Sequence, residues 1–170
     1  AYFEFSRATV RPLLDRFDNL VILRTFSKAF SLAALRVGYM IASPEIVDTF
    51  KKVRQPYSVS AFSQWAAQVV FRDRALFENA IEELVFERDK LMEAMREIAG
   101  VTVFDSESNF ILFRVAHASR VWRELYHEYS ILIRDVSREE GLDDCLRVSV
   151  GTPSQNQAFL KALREIVEKG

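Results

Sequence analysis

Short apolar runs separated by polar turns occupy the first third of the chain and predict strands joined to short helices. Residues 20–25 and 37–42 are apolar runs of the length of a buried strand. A helix is expected over residues 43–52, because a Ser-Pro pair at its start places proline at a first helical position. Residues 7–16 are predicted to form a short helix or a loop. We expect these pieces to edge a larger, mainly parallel sheet.

Helical periodicity replaces this pattern from about residue 60 to residue 98, where apolar side chains recur near every third or fourth position. Gly100 ends the helical stretch. Strands are predicted at residues 101–104, 109–115, 131–136 and 146–150, and helices at residues 119–129 and 154–167. This second pattern predicts a compact α+β unit. We therefore divide the chain into a first domain at residues 1–57 and a second at residues 58–170.

The composition is that of a folded globular protein. With 170 residues, 49% hydrophobic side chains and a formal net charge of −1, the chain can bury a sizeable core. Acidic and basic residues are interspersed, so no basic stripe predicts nucleic-acid binding. A single cysteine, Cys145, excludes an internal disulfide, and no apolar stretch approaches the ~20 residues of a membrane span. We predict a cytoplasmic protein without nucleic-acid partners, membrane partners or a metal site.

A lysine, Lys28, directly follows the first predicted strand, in the run TFSKAFSLAALRVGY over residues 25–39. An ammonium group is rarely buried without a partner, because leaving water is costly or lowers its pKa. A lysine with a lowered pKa is a nucleophile suited to Schiff-base chemistry with an aldehyde. Ser27 and Arg36 add a hydroxyl and a guanidinium, which suit a phosphate dianion. These residue types fit pyridoxal 5'-phosphate (PLP), and they equally fit an exposed lysine near an unrelated surface arginine.

The whole run resembles the lysine segment of fold-type I PLP-dependent aminotransferases, and is most similar to that of histidinol-phosphate aminotransferases. Their pattern is T-x-S-K-A-x-x-L-A-G-L-R-x-G-Y, and this chain departs from it at Ala34, where the family has glycine. The resemblance continues through residues 108–110, 132–135 and 146–152 and covers essentially the whole chain. It implies the α/β PLP-dependent transferase fold. This chain would supply an edge of the large, mainly parallel-sheet domain and the C-terminal α+β small domain.

The resemblance implies roles for four residues around the cofactor. Lys28 would form the Schiff base with PLP and act as the catalytic residue that moves the substrate proton. Ser27 and Arg36 would bind the cofactor's phosphate. Tyr2 matches the last residue of the family's Asp-Glu-Ala-Tyr and would donate a hydrogen bond to the cofactor's ring oxygen. A lone tyrosine near a chain terminus is otherwise usually a surface or core residue.

Three further residues are candidates for substrate binding. Alternation along residues 146–150 puts Arg147 on the strand face opposite to its apolar neighbours. A strand arginine is commonly a rim charge paired with an acidic side chain. The resemblance instead implies that Arg147 holds an α-carboxylate or a phosphate, and that Arg134 holds the distal anionic group. Asn109 matches a family asparagine near the substrate, or is a turn residue that opens a strand.

The resemblance also implies an activity for the intact protein. This activity is transamination of histidinol phosphate with 2-oxoglutarate, which gives imidazole acetol phosphate and glutamate in histidine biosynthesis. Family members are homodimers, and the chain starts just past the family's aspartate. We therefore expect the C-terminal half of an enzyme, not competent alone. The alternatives are an aromatic-amino-acid aminotransferase or a phosphothreonine decarboxylase of the same fold, or a catalytically silent piece that only folds or assembles.

Overall fold

The computed structural model describes residues 1–169, which form two compact units. The first unit runs from Ala1 to Ile81 and the second begins at Glu82. The boundary between the units falls inside a long helix, and the assignment of residues 1–57 to a larger domain stays a prediction. No helix within residues 1–169 combines the length and the apolar character that crossing a membrane requires.

The first unit contains helices and one β-hairpin. In chain order its elements are α1 (Phe3–Ser6), a 3-10 turn (Arg11–Asp15), β1 (Ile22–Thr25), a second 3-10 turn (Ala33–Leu35), β2 (Gly38–Ile41), α2 (Pro44–Val53), α3 (Ala61–Arg72) and the start of α4 (Ala75–Arg96). The side chains of Ser43 and Ser60 cap α2 and α3 by accepting hydrogen bonds from backbone N–H groups of the first turn. The predicted strands and the helix after them are confirmed to within about two residues at each end.

The two strands of the hairpin pair antiparallel, with Ile22 opposite Ile41 and Thr25 opposite Gly38. Leu23 is 70% exposed, whereas Ile22 on the other face of β1 is buried. The prediction of a strand buried along its length is therefore wrong for β1 within residues 1–169. Its side chains alternate between a covered and an open face, as pleated strands require.

A small apolar cluster packs the hairpin against α3. Phe26, Val37 and Ala67 are buried in it, and partly buried apolar side chains surround them. Phe26 directly precedes Ser27, and Val37 directly follows Arg36. The cluster therefore holds both ends of the loop that carries the candidate cofactor residues.

The second unit is an antiparallel sheet packed against helices, which confirms the predicted α+β arrangement. After α4 its elements are β3 (Val101–Val103), β4 (Phe110–Val115), α5 (Ala118–Tyr129), β5 (Arg134–Asp135), β6 (Cys145–Ser149) and α6 (Pro153–Glu168). The strand order is β3-β4-β6-β5. α6 begins at a capping box in which Thr152 and Gln155 exchange hydrogen bonds between side chain and backbone.

Alternate side chains of the central strands enter the core of this unit. Ile111 and Phe113 on β4 are fully buried, as is Leu146 on β6, and Val148 on β6 is almost fully buried. The helices complete the core with side chains that are 0% exposed: Met95, Val121, Leu125, Leu163 and Ile166. Arg147 lies on the opposite face of β6, and the predicted alternation is confirmed.

Two predicted elements differ from the observed ones. The helical stretch expected over residues 60–98 is interrupted at residues 73–74, between α3 and α4. The strand expected over residues 131–136 is reduced to Arg134–Asp135. The Ile131 N–H donates to the Leu125 carbonyl at 2.9 Å, so this residue closes the end of α5 instead of extending a strand.

Candidate functional site

The hairpin holds the two ends of the loop that carries Ser27 and Arg36. The Phe26 N–H donates to the Val37 carbonyl at 3.2 Å, which extends the β1–β2 contact by one position. Ser27 directly follows Phe26, and Arg36 directly precedes Val37. A hydroxyl at one end of the loop and a guanidinium at the other thus both adjoin this hydrogen bond.

Lys28 lies in the loop just beyond this pair. Its carbonyl accepts a hydrogen bond from the Ser31 N–H at 3.2 Å, and the Leu32 N–H donates to the Phe26 carbonyl at 3.1 Å. The Lys28 side chain is exposed. The sequence argument began from a buried lysine, and that premise is wrong for residues 1–169. Among those residues, no acidic side chain or acceptor contacts the Lys28 amine, which leaves it open to a small molecule.

The backbone of the loop adopts an uncommon conformation at Arg36. Arg36 has a φ of 52°, in the left-handed region, and Ser31 has a φ of 56°. Such a conformation costs roughly 1–2 kcal/mol for a residue with a Cβ, and strained positions of this kind cluster at functional sites. One Arg36 guanidinium nitrogen donates to the Ala33 carbonyl at 2.9 Å. The Arg36 guanidinium retains further N–H donors for an anion.

Gly38 permits the close approach of β2 to β1. A Cβ at this position would lie 2.5 Å from the Arg24 carbonyl oxygen, closer than real Cβ atoms come. Glycine is therefore required at this position of the lysine motif because a larger residue would collide with β1, which the sequence alone did not reveal.

Tyr2 is half-buried at the start of α1. Its ring lies 6.5 Å from the ring of Phe5. The next residue, Phe3, packs under the Arg24 guanidinium at 3.8 Å, and Arg24 also donates to the Thr9 hydroxyl at 3.0 Å. These contacts hold the first residues of the chain against β1, the strand that leads to Lys28.

In the second unit, Arg134 and Arg147 occupy facing register positions on β5 and β6. Both line an open cavity of about 650 Å³, together with Ile131, Ser149, Gly151 and Asn156. Arg147 is half-buried, and its guanidinium lies 4.7 Å from the centre of the Phe110 ring. Two cations therefore face one cavity, an arrangement that suits an anionic ligand.

The two arginines differ in their partners. Arg134 is 61% exposed and lies 3.8 Å from Glu139, which is also exposed. It therefore forms the rim ion pair that the sequence offered as the alternative to substrate binding. No acidic side chain within residues 1–169 pairs with Arg147. The rim-charge interpretation thus describes Arg134 and does not describe Arg147.

Asn109 adjoins this cavity through its backbone. Its carbonyl accepts a hydrogen bond from the N–H of Val150, a cavity-lining residue, at 3.0 Å. Asp135, next to Arg134, accepts hydrogen bonds from Ser137 and Ser119. Burial raises the pKa of Asp135, but these hydrogen bonds outweigh it and hold the pKa below its usual value. Asp135 therefore acts as an ionised carboxylate that orders the turn after β5.

Sequence reasoning missed the support of Arg147. The Phe110 ring beneath the guanidinium was noted only as part of a motif, and the buried polar residues Glu87 and Asn156 were assigned no role. For Glu87 and Asn156, the available signal was a polar residue at a helical position among apolar neighbours. The sequence does not reveal their partners, which are distant along the chain.

Comparisons with known proteins identify the family of the chain. The family model described as aminotransferase class I and II matches residues 1–163. A histidinol-phosphate aminotransferase of Ruminiclostridium cellulolyticum is 40% identical over 166 residues, which are 98% of this chain and 46% of that protein. The chain spans about half the length of the curated relatives it matches.

Two solved structures share the fold. L-threonine-O-3-phosphate decarboxylase from Porphyromonas gingivalis superposes with a TM-score of 0.87 and 30% identity, over 98% of this chain and 53% of that one. Histidinol-phosphate aminotransferase from Sinorhizobium meliloti, in complex with pyridoxal-5'-phosphate, superposes with a TM-score of 0.83 and 24% identity, over 99% of this chain and 47% of that one. With a family model that spans nearly its whole length, the chain belongs to the aminotransferase class I and II family.

Proposed function

We propose that the protein is a PLP-dependent aminotransferase that transfers the amino group of histidinol phosphate to 2-oxoglutarate. The observation that carries the proposal is the loop between β1 and β2. It presents an amine at Lys28 that has no partner among residues 1–169, and Ser27 and Arg36 adjoin the Phe26–Val37 hydrogen bond that holds the two ends of the loop.

The loop residues suit both ends of the cofactor. The Arg36 guanidinium keeps donors beyond the one given to Ala33, and with the Ser27 hydroxyl it would bind the phosphate. The Lys28 amine would attach to the aldehyde carbon, and the Tyr2 hydroxyl would donate to the ring oxygen. The Sinorhizobium meliloti protein, which has the same fold, was solved in complex with PLP, and this supports PLP as the cofactor.

Bound PLP would supply an electron sink that stabilises negative charge on the substrate's α-carbon. Lys28, released when the substrate's amine takes its place at the aldehyde carbon, would then serve as the base, with its Nζ atom removing the proton from the α-carbon. The backbone hydrogen bonds around Phe26 and Ser31 fix the loop, so the amine approaches the α-carbon from a defined direction.

Arg147 and Arg134 would hold the anionic groups of both substrates. Histidinol phosphate and 2-oxoglutarate each carry an anionic end, and a planar guanidinium binds phosphate and carboxylate equally well. We assign the α-carboxylate or phosphate to Arg147, which has no acidic partner among residues 1–169, and the distal anionic group to Arg134. Asn109, beside the cavity, would contribute to substrate binding.

The first test is the attachment of the cofactor. We expect that borohydride reduction of the protein with PLP leaves a pyridoxyl group on Lys28, identified by peptide mass spectrometry. The change Lys28→Ala should abolish both the label and the turnover, because no neighbouring amine occupies the same position. Lys51→Ala is the matched control, since Lys51 is exposed but paired with Asp48. Label spread evenly over exposed lysines would refute the assignment.

The second test addresses the substrate. The 40% identity to a histidinol-phosphate aminotransferase favours histidinol phosphate, and the 30% identity to the phosphothreonine decarboxylase favours a second candidate. Histidinol phosphate, phenylalanine and phosphothreonine would be offered to the 170-residue chain and to the longest natural protein that contains it. Glutamate formed from 2-oxoglutarate identifies transamination, and release of carbon dioxide from phosphothreonine identifies the decarboxylase.

Three expectations about the intact protein stay proposals with this function. They are a homodimer, a cytoplasmic location and an incomplete active site within this chain. Turnover by the 170-residue chain alone would contradict the third, and a monomeric active protein in light scattering would contradict the first.

A further inference from the structure

Four polar side chains are buried in the second unit, and one of them, Asn156, lines the cavity that contains Arg147. Glu87 and Arg88 on α4, Ser108 before β4 and Asn156 on α6 are each exposed by less than a tenth. Buried polar groups cost stability unless they are hydrogen-bonded, so their partners indicate what the cluster holds in place.

Asn156 binds both backbone groups of Gly151. Its side-chain oxygen accepts a hydrogen bond from the Gly151 N–H at 2.9 Å, and its amide nitrogen donates to the Gly151 carbonyl at 3.2 Å. The same nitrogen donates to a Glu87 carboxylate oxygen at 3.2 Å. The other Glu87 oxygen pairs with Lys90 at 3.1 Å. Every polar atom of the Asn156 side chain is thus used, and its orientation is determined by Glu87.

Gly151 and Asn156 both line the cavity that contains Arg147. Gly151 lies in the connection between β6, the strand on which Arg147 lies, and α6. A backbone clamp at Gly151 therefore fixes this connection beside the cavity that Arg147 lines.

A second series of contacts connects Arg147 to Arg88, the residue that follows Glu87 on α4. Arg88 pairs with Asp89 at 2.8 Å and donates a long hydrogen bond to the Ser108 carbonyl at 3.5 Å. The Ser108 hydroxyl donates to the Phe110 carbonyl at 3.1 Å. The Phe110 ring lies beneath the Arg147 guanidinium. Two successive residues of α4 thus begin separate series of contacts, one that ends at Gly151 and one that ends at Arg147.

We propose that Asn156, oriented by Glu87, is a positioning residue that holds Arg147 for anion binding by clamping the backbone of Gly151. The proposal rests on the proposed function, in which Arg147 binds an anionic group of the substrate. An apolar pair would pack α4 against α6 equally well, but it would not bind the Gly151 N–H and carbonyl.

The test compares two variants that differ in one hydrogen bond. Asn156→Asp keeps an acceptor for the Gly151 N–H, but it places a second carboxylate against Glu87. The double variant Glu87→Gln, Asn156→Asp restores a hydrogen bond between the two side chains, with the donor and acceptor exchanged. Gln157→Ala is the matched control, because Gln157 is exposed on the same helix.

Three quantities would be measured on each variant of the full chain. They are the affinity for sulfate, a dianion that does not titrate between pH 5 and 8, the NMR resonance of the Arg147 Nε–H group, and the melting temperature. We expect N156D to weaken sulfate binding about tenfold and to shift the Arg147 resonance, and the double variant to recover most of both. Lowering the pH should improve binding by N156D alone, since one of the paired carboxyl groups then takes up a proton.

The outcomes separate this proposal from the proposed function. A lower melting temperature with unchanged Arg147 resonance and unchanged sulfate affinity would mean a purely structural cluster and would overturn the clamp. Wild-type protein that binds no anion through Arg147 would contradict the proposed substrate role. The Arg147 resonance would still decide the clamp in that case, because it requires no ligand.

Discussion

Arg134 and Arg147 face each other across two strands, yet their surroundings give them different chemistry. Arg134 is largely exposed beside Glu139, where solvent weakens the ion pair. Arg147 is half-buried over an aromatic ring and has no acidic partner among residues 1–169. An anion that reaches Arg147 therefore gains hydrogen bonds that the protein does not already make.

This difference predicts unequal effects of removing the two charges. Arg147→Met should lower sulfate affinity tenfold or more, because a hydrogen bond to a charged group contributes about 1.5–3 kcal/mol. Arg134→Met should lower it only a few-fold, since an exposed charge contributes about 0.2–1 kcal/mol. Isothermal titration calorimetry measures both. An equal or larger loss for R134M would reverse the assignment of the two arginines.

At the scale of elements, the β1–β2 hairpin depends on the absence of a side chain at Gly38. The carbonyl of Arg24 occupies the space where a Cβ would be, and this obstacle is backbone, which moves only if the strands separate. The β1–β2 pairing that leads into the loop with Ser27 and Arg36 depends on the same close approach.

We therefore expect Gly38→Ala to destabilise the protein by about 1–3 kcal/mol, the usual cost of overpacking, and to reduce the pyridoxyl labelling of Lys28. Gly141→Ala is the control, because Gly141 has a φ of 78° with open space around it. That variant should lose stability through backbone strain and keep the labelling. Thermal melts and peptide mass spectrometry report the two effects. Full labelling of G38A at wild-type stability would contradict the steric argument.

The sequence predicted most elements because their patterns are local. α2 and α6 begin within a residue or two of the predicted positions, where proline follows a capping side chain. It did not predict the break at residues 73–74, where neither glycine nor proline occurs. The strand around Arg134 was predicted too long, because an apolar run does not reveal that the Ile131 N–H donates to the Leu125 carbonyl at the end of α5. The break is made by local turns, in which Leu76 and Phe77 donate to the carbonyls of Asp73 and Arg74, and the shortened strand follows from the hydrogen bond at the end of α5.

At the scale of the whole molecule, buried ionised groups link stability to pH. Hydrogen bonds from Lys90 and Asn156 lower the pKa of Glu87, and burial opposes them. The pKa of Asp135 is also lowered. A carboxyl group with a lowered pKa in the folded state stabilises the fold above its unfolded pKa, and this stabilisation is lost as the pH falls through the folded value.

We expect the melting temperature to fall on acidification below about pH 4.5, the region in which an unfolded glutamate takes up its proton. Glu87→Gln should be less stable than the wild type at neutral pH and should show a shallower acid decline, because its amide does not titrate. Calorimetric scans between pH 3 and 7 measure both profiles. Parallel curves for the two proteins would show that Glu87 does not contribute to this dependence.

The chain covers about half of the relatives it matches and divides into two units. Lys28 and the residues proposed for the cofactor lie in the first unit, and the proposed substrate residues lie in the second. The family and the α/β fold follow from the comparisons, whereas the reaction and its substrates are tested only by the labelling and turnover experiments.

The sequence by itself determined the family resemblance, the candidate residues and most of the helices and strands. These properties depend on residue types and short periodic patterns, which neighbouring positions specify. Only the tertiary structure decided that a Phe26–Val37 hydrogen bond holds the two ends of the loop with Ser27 and Arg36, that Arg147 rests on Phe110 without an acidic partner in residues 1–169, and that Asn156 joins Glu87 to Gly151. Those contacts join separate parts of the chain, and their geometry arises only when strands pair and helices pack.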